Sequence, residues 1–199
     1  MKTKYMRTSR GFTLIEMIGV LAIIAILAGA LIPKIFDAIR DSRINSTIET
    51  YNTLKTAVVD HYAKRGKFAD TSGNVYTGSS FDSILLQENR ISAKAADKIP
   101  LSTAGGATGI YVNVVTGKGR SNSGYALAGD TVISTSDASY TVELVIKGVA
   151  KQDARDLSLR LDGPGLSATD LSSDDTKGIV EYVSSTDPTR DVYIYITHQ

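Results

Sequence analysis

Hydrophobic periodicity changes twice along the chain. From Phe12 to Ile32 it is apolar and carries a single charge, Glu16. A helix over that run, rising about 1.5 Å per residue, extends about 32 Å, which spans the hydrocarbon core of a bilayer. From Lys34 to Arg65 the apolar positions Ile35, Ile39, Ile44, Ile48, Tyr51, Leu54, Val58 and Tyr62 form one stripe among charges of mixed sign, predicting an amphipathic helix that a domain must cover. Farther on the period is two: Ile110–Val115, Tyr140–Lys147 and Val192–Thr197 alternate as strands, with Gly124–Ala128 and Ile179–Val183 as weaker candidates. The expected fold class is α+β: a long N-terminal helix, half membrane-spanning and half amphipathic, packed on an antiparallel sheet of about four strands whose other face is wetter.

Pro33 lacks the amide hydrogen that would bond the Gly29 carbonyl, and Gly29 lowers helix propensity, so the helix either kinks or loosens there or simply ends at the membrane surface. Residues 69–80 read as loop, 81–96 as one or two short helical turns and 101–109 as small and polar. Asp153–Leu161 predicts a short helix stopped by Gly163-Pro164-Gly165, and Ser167–Gly178 a loop.

A carboxylate within an apolar run costs roughly 2.5 kcal/mol or more at the centre of a membrane helix, so Glu16 requires a partner. The neighbouring basic residues, Lys2, Lys4, Arg7 and Arg10, lie upstream across the Gly11-Phe12 junction, and the local chain offers no other partner. Cleavage after Gly11 would create an α-amino group on Phe12 close to Glu16. The basic residues also place 1–11 on the cytoplasmic side and the chain after Pro33 outside. An ordinary secretory signal is disfavoured because the apolar run exceeds the usual h-region and Pro33-Lys34 replaces a small-residue cleavage site.

A short basic leader ending in Gly, followed by Phe-Thr-Leu-Ile-Glu at the head of an apolar helix, resembles the prepilins of type IV pili and the pseudopilins of type II secretion. The resemblance is clear from Gly11 to about Phe68, where Ala57, Tyr62, Gly66 and Phe68 match the pattern of a long helix ending in a Gly-aromatic turn. It implies the pilin fold, cleavage between Gly11 and Phe12 by a prepilin peptidase, N-methylation of Phe12, and an assembly role for Glu16. It also implies that 25–33, bounded by Pro33, loses helical structure in the filament. The organisation expected is a removed leader at 1–11, a transmembrane and polymerisation helix at 12–33, the amphipathic half at 34–66, a variable connector at 67–109 and a sheet region at 110–199.

Composition removes several classes of chemistry. The chain contains no cysteine, which excludes disulfides, thiolate catalysis and cysteine-zinc sites. Its formal charge is +1, with 22 basic and 21 acidic side chains; losing the leader leaves 18 basic residues and a balance of −3, so no direct nucleic-acid binding is indicated. Gly117-Lys118 is not a phosphate loop, because Val112 stands where its first glycine should and Gly119 where Ser or Thr should follow. His61 and His198 read as surface or interface side chains, and, of the ten tyrosines, Tyr111, Tyr140, Tyr193 and Tyr195 as half-buried strand residues. No cofactor is required. The alternative left open is calcium held by Asp162, Asp170, Asp174 and Asp175, a loop that major pseudopilins use in place of a disulfide.

The expected function is that of a structural subunit, not an enzyme, polymerising through its helix into a type IV pilus for motility, adhesion or DNA uptake. The major pseudopilin of a type II secretion system is the alternative; a single-span membrane-anchored enzyme or binding module is the remote one. The partners implied are identical subunits, the peptidase, and a pilus or secretion assembly platform with its ATPase. The location implied is the inner membrane as a single-pass precursor, then an extracellular pilus or periplasmic pseudopilus.

Overall fold

A computed structural model describes residues 11–101, 109–119, 124–127, 140–168, 173–184 and 189–199, with Ser184 described by its backbone alone. Residues 1–10 of the expected leader at 1–11, residues 102–108 of the expected connector at 67–109, and Asp170 thus lie outside the described residues. Helix α1 runs Leu14–Arg65, α2 Phe81–Gln87, α3 Ala95–Lys98 and α4 Lys151–Leu161; the strands are β1 Ile110–Thr116, β2 Tyr140–Ala150, β3 Val180–Ser184 and β4 Thr189–His198. Contacts divide the chain into two compact units, 1–41 and Ser42–Gln199.

Within the first unit the described chain is the start of α1, rich in Leu, Ile and Ala. Its apolar side chains are uncovered, from Phe12 at 80% exposure through Ile26 at 73% to Phe36 at 65%. Pro33 lies inside the helix, so the alternative in which the helix ends at that proline is not the conformation adopted. Straight-chain and Ala residues on both sides sustain the helix while Pro33 removes one of its hydrogen bonds.

The second unit begins within α1 and buries Ile44, Thr47, Tyr51, Leu54, Ala57, Val58 and His61. The expected stripe therefore starts later than the spacing indicates: Ile35 and Ile39 are 46% and 43% exposed. The helix stops at Gly66, whose φ of 69° is the left-handed conformation favoured by glycine and whose N–H donates to the Tyr62 carbonyl at 2.7 Å. Lys64 and Arg65 in the last turn complement the negative end of the helix dipole.

The sheet has the order β1-β2-β4-β3 and is antiparallel throughout. Its inner-face residues, among them Val112, Val114, Leu144, Ile146, Val192 and Ile194, share one core with Ile44, Tyr51, Leu54 and Val58 of α1, Phe81 and Leu85 of α2 and Leu157 of α4. Burying each large aliphatic side chain contributes roughly 1.5–3 kcal/mol against chain entropy. Tyr51 is oriented by its hydroxyl, which donates to the Tyr195 carbonyl at 2.8 Å; burial, then the charge of Asp162, pushes that phenol up to about 12.

Loops cover both edges of the sheet. Gly78 exchanges two backbone hydrogen bonds with Val114 beside β1, and Asp175 exchanges two with Tyr182 beside β3. Such pairing satisfies edge groups that otherwise recruit foreign strands.

The outer face is drier than alternation indicates. Gly124-Tyr125-Ala126, expected as part of a weak strand, forms no strand over 124–127 but lies over this face. The Tyr125 hydroxyl donates to Glu143 at 2.8 Å, its ring packs 5.4 Å from that of Tyr195, and the Ala126 N–H donates to Glu181 at 3.2 Å. Glu143 and Glu181 are thereby buried at 1% and 0% exposure on what reads as the solvent side. Val145, also outward-facing, is buried with them, which explains why β2 is covered on both faces.

Candidate assembly site at the head of the apolar helix

The helix begins one residue after Thr13, making Thr13 the N-cap and Glu16 the third helical residue. The Thr13 N–H and hydroxyl both donate to Glu16 Oε2, at 2.9 and 2.8 Å, while the Glu16 N–H donates to Thr13 Oγ1 at 3.3 Å. This is a reciprocal capping box: it satisfies donors that a helix start leaves open and places a carboxylate at the positive end of the dipole. The expectation that the local chain offers Glu16 no partner is therefore wrong. Attention to charges alone missed Thr13, although Thr-x-x-Glu before an apolar run is a sequence signature of this cap.

Gly11 and Phe12 precede the helix in non-helical conformation and are exposed. A scissile bond there is not tied into helical hydrogen bonding, and the Phe12 nitrogen is two residues from the end of the helix. Gly29 and Pro33 lie farther along the same uncovered helix. The space around Gly29 is open among the described residues, with nothing within 4 Å of where a Cβ would stand.

The four aspartates nominated for calcium divide. Asp162 turns both oxygens to backbone donors, the N–H groups of Ile179 at 2.7 Å and Val180 at 2.8 Å. Asp175 accepts from the Ser158 hydroxyl at 2.7 Å and from the N–H groups of Ala168 and Lys177 at 3.2 Å each. Asp174 is exposed. Among the described residues, no three acidic or histidine side chains gather as an ion-holding group. Burial pushes the Asp162 carboxyl up in spite of its backbone hydrogen bonds, and the charge of Asp175 adds to that push. The arrangement clasps the 162–180 loop onto the end of α4 and the start of β3.

His61 is a second correction. It is buried on the α1 stripe; its Nδ1 lies 2.8 Å from Glu88 Oε2, and its Nε2 accepts the Ala69 N–H at 3.1 Å. Glu88 also receives Arg90 Nε at 2.5 Å and Arg65 at 2.6 Å, and Arg90 pairs with Asp60. The end of α1 is thus locked to the connector by a charged cluster. His61 follows Val58 by three positions, a spacing that assigns it to the stripe.

The arrangement defines a class: an α+β domain carried on a helix whose apolar first half is uncovered and begins with a capped carboxylate. The helix meets the length and hydropathy requirements for crossing a membrane. Residues 6–32 match the family model of the prokaryotic N-terminal methylation motif. This match supports a prepilin of the type IV pilin or pseudopilin type, and the motif implies processing by prepilin peptidase and assembly into pilus-type polymers. No solved structure matches the chain.

Proposed function

We propose that the protein is the structural subunit of a type IV pilus on the cell surface. The precursor waits as a single-span protein of the inner membrane, is cut between Gly11 and Phe12, and is methylated on the Phe12 nitrogen. Glu16 then pairs with such an amino terminus and sets the register of subunits, while an assembly platform and its ATPase supply extraction. The observation that carries this reading is the uncovered apolar surface from Phe12 to Ile39, interrupted near its head by one carboxylate. Lipid covers that surface before assembly and identical helices cover it afterwards, at similar apolar cost.

Shearing cells and analysing the fibres tests it. This polypeptide is expected to dominate long surface fibres, with a mass that begins at Phe12 and includes one added methyl group. Fibres lacking it, or a protein retaining Met1, would overturn the proposal.

One observation favours the pseudopilus of type II secretion: the chain has no cysteine, and its 162–180 loop is closed by Asp162 and Asp175. Deletion then leaves surface fibres intact while secreted proteins accumulate in the periplasm.

A further inference from the structure

His61 is completely buried near the end of α1, and the partners of its two ring nitrogens fix where its proton sits. The Glu88 carboxyl, held at about 2, has no hydrogen to give, so Nδ1 carries the hydrogen that spans the 2.8 Å to Glu88 Oε2. Nε2 accepts the Ala69 N–H at 3.1 Å and therefore carries none. The imidazole is thus the neutral Nδ1–H tautomer. Its ring meets that of Phe81 at 5.0 Å, nearly perpendicular.

Ala69 stands at the head of a small turn that is organised from within. The Asp70 N–H donates to the Asn74 carbonyl at 2.8 Å and the Tyr76 N–H to the Phe68 carbonyl at 2.9 Å, while Asp70 Oδ1 accepts the N–H groups of Ser72 at 2.9 Å and Asn74 at 2.8 Å. The Ala69 N–H takes no part in that pairing and is given to His61 instead. A second proton on the imidazole would set Nε2–H against the Ala69 N–H, two donors facing each other in a site closed to water. Such an arrangement leaves buried donors without an acceptor, which the turn relieves by moving away as a unit.

The surrounding charges are paired. Glu88 favours the imidazolium, whereas Arg65 and Arg90, both on Glu88, oppose it. Asp60 of α1 pairs with Lys64 and with Arg90. Lys67 is exposed, Asp70 is turned onto its own backbone, and Asp82 of α2 accepts the N–H groups of Ser83 at 3.1 Å and Ala95 at 3.3 Å. The carboxylates here are thus committed to donors other than Nε2. We propose that His61 is a proton-operated latch: neutral, it holds the 68–76 turn against the end of α1, and protonated, it releases that turn. Every residue of the latch lies in the Ser42–Gln199 unit, so it stands apart from the filament reading.

The test uses the full chain in neutral-detergent micelles, followed by NMR at about pH 7.5 and about pH 5, which span the range where histidine changes charge. Long-range proton–nitrogen spectra are expected to show Nε2 bare at the higher pH and protonated at the lower. The protection factor of the Ala69 amide is expected to fall about tenfold between them, the equilibrium equivalent of one lost buried hydrogen bond. Those of Asp70 and Tyr76 within the turn, and of Ala95 beside Asp82, are expected to hold steady. His61→Gln, whose amide oxygen accepts a hydrogen bond but takes no proton, is expected to keep Ala69 protected at both pH values. Circular dichroism establishes that the variant is folded; where it is not, the spectra of the parent decide. An imidazole that gains its proton with no change at Ala69, one that stays neutral at pH 5, an equal loss of protection at Asp70, Tyr76 and Ala95, or the same loss in folded His61→Gln would overturn the proposal.

Discussion

Thr13 and Glu16 satisfy each other at the point where α1 begins, through two donors from the threonine to one carboxylate oxygen and one donor in return. The charge in the apolar run is therefore partnered within its own chain, so the proposed pairing of Glu16 with a Phe12 amino group would be an exchange of partners. Replacing an N-cap hydroxyl typically costs about 1 kcal/mol, close to a fivefold change in an opening equilibrium. Thr13→Val is thus expected to lower hydrogen-exchange protection of the Glu16 and Met17 amides, which donate to Thr13, by about that factor in micelles, and Thr13→Ser to preserve it. Equal protection in all three proteins would show that the box contributes nothing to the helix start.

The division at Ser42 sets a second expectation. A fragment Ser42–Gln199 should fold alone with mixed helix and sheet by circular dichroism, since the shared core lies within it. A fragment Lys34–Gln199 should fold equally but self-associate more, because it adds the exposed side chains Ile35, Phe36 and Ile39. Sedimentation velocity distinguishes them. An unfolded Ser42 fragment would mean that the apolar half supports the domain as well as anchoring it.

Glu88 gives the domain a defined acid sensitivity. Burial would push its carboxyl up, but hydrogen bonds from Arg90 and His61 and the charge of Arg65 outweigh that and hold it at about 2. A carboxyl lowered on folding stabilises above its unfolded value near 4.3 and loses that contribution as pH falls toward 2, in total roughly 3 kcal/mol. Asp82 and Asp162, pushed up chiefly by burial, act oppositely: the stability attached to their protonated forms is lost as pH rises through their folded values. Urea unfolding of the Ser42 fragment at pH 6, 4 and 2.5 is expected to show a larger stability difference between the parent and Glu88→Gln at pH 6 than at 2.5. A difference independent of pH would remove Glu88 as the source.

Asp162 and Gly178 form the clasp of the C-terminal loop. A Cβ at Gly178 would stand 2.4 Å from Asp162 Cγ, and φ there is 86°, so alanine is excluded both by space and by backbone conformation. Gly178→Ala and Asp162→Ala should each lower the midpoint of thermal unfolding, and the double substitution should cost less than their sum because both break one contact. The backbone donors already occupy the carboxylate oxygens, so melting is expected to be the same in chelator and in calcium at about 1 mM, the range of weak extracellular sites. A rise with calcium would show that the loop aspartates ligate the ion after all.

Periodicity carried most of the architecture. Alternation in Ile110–Val115, Tyr140–Lys147 and Val192–Thr197 located β1, β2 and β4, and the weaker run at Ile179–Val183 became β3. It failed where burial depends on what crosses a face: Tyr125 and Ala126 bury Glu143 and Glu181, and no local pattern records that long-range cover. His61 was misread because histidine alone does not signal burial, whereas its spacing from Val58 does. At the site, Glu16 was legible as an isolated charge in an apolar run. Its partner Thr13 was not, since hydroxyl and backbone donors escape a search restricted to opposite charges.

Glu16 provides the decisive test of assembly. An ammonium and a carboxylate attract far more strongly in an apolar medium than in water, and the apolar surfaces around them give little preference among axial positions. One exchange of Glu16 from Thr13 to a Phe12 amino group can then fix subunit register. Glu16→Val removes both the capping partner and the charge; it should leave membrane insertion and leader cleavage intact while abolishing fibres when it is the only subunit. Glu16→Asp keeps the charge with a shorter reach and should give an intermediate number of fibres. Thr13→Val, which disrupts the cap but leaves the charge, should still assemble. Counting fibres by electron microscopy beside immunoblots of processed subunit separates these outcomes. Normal fibres from Glu16→Val would show that helix packing alone sets the register, whereas loss of fibres in Thr13→Val to the same extent would place the essential function in the cap itself.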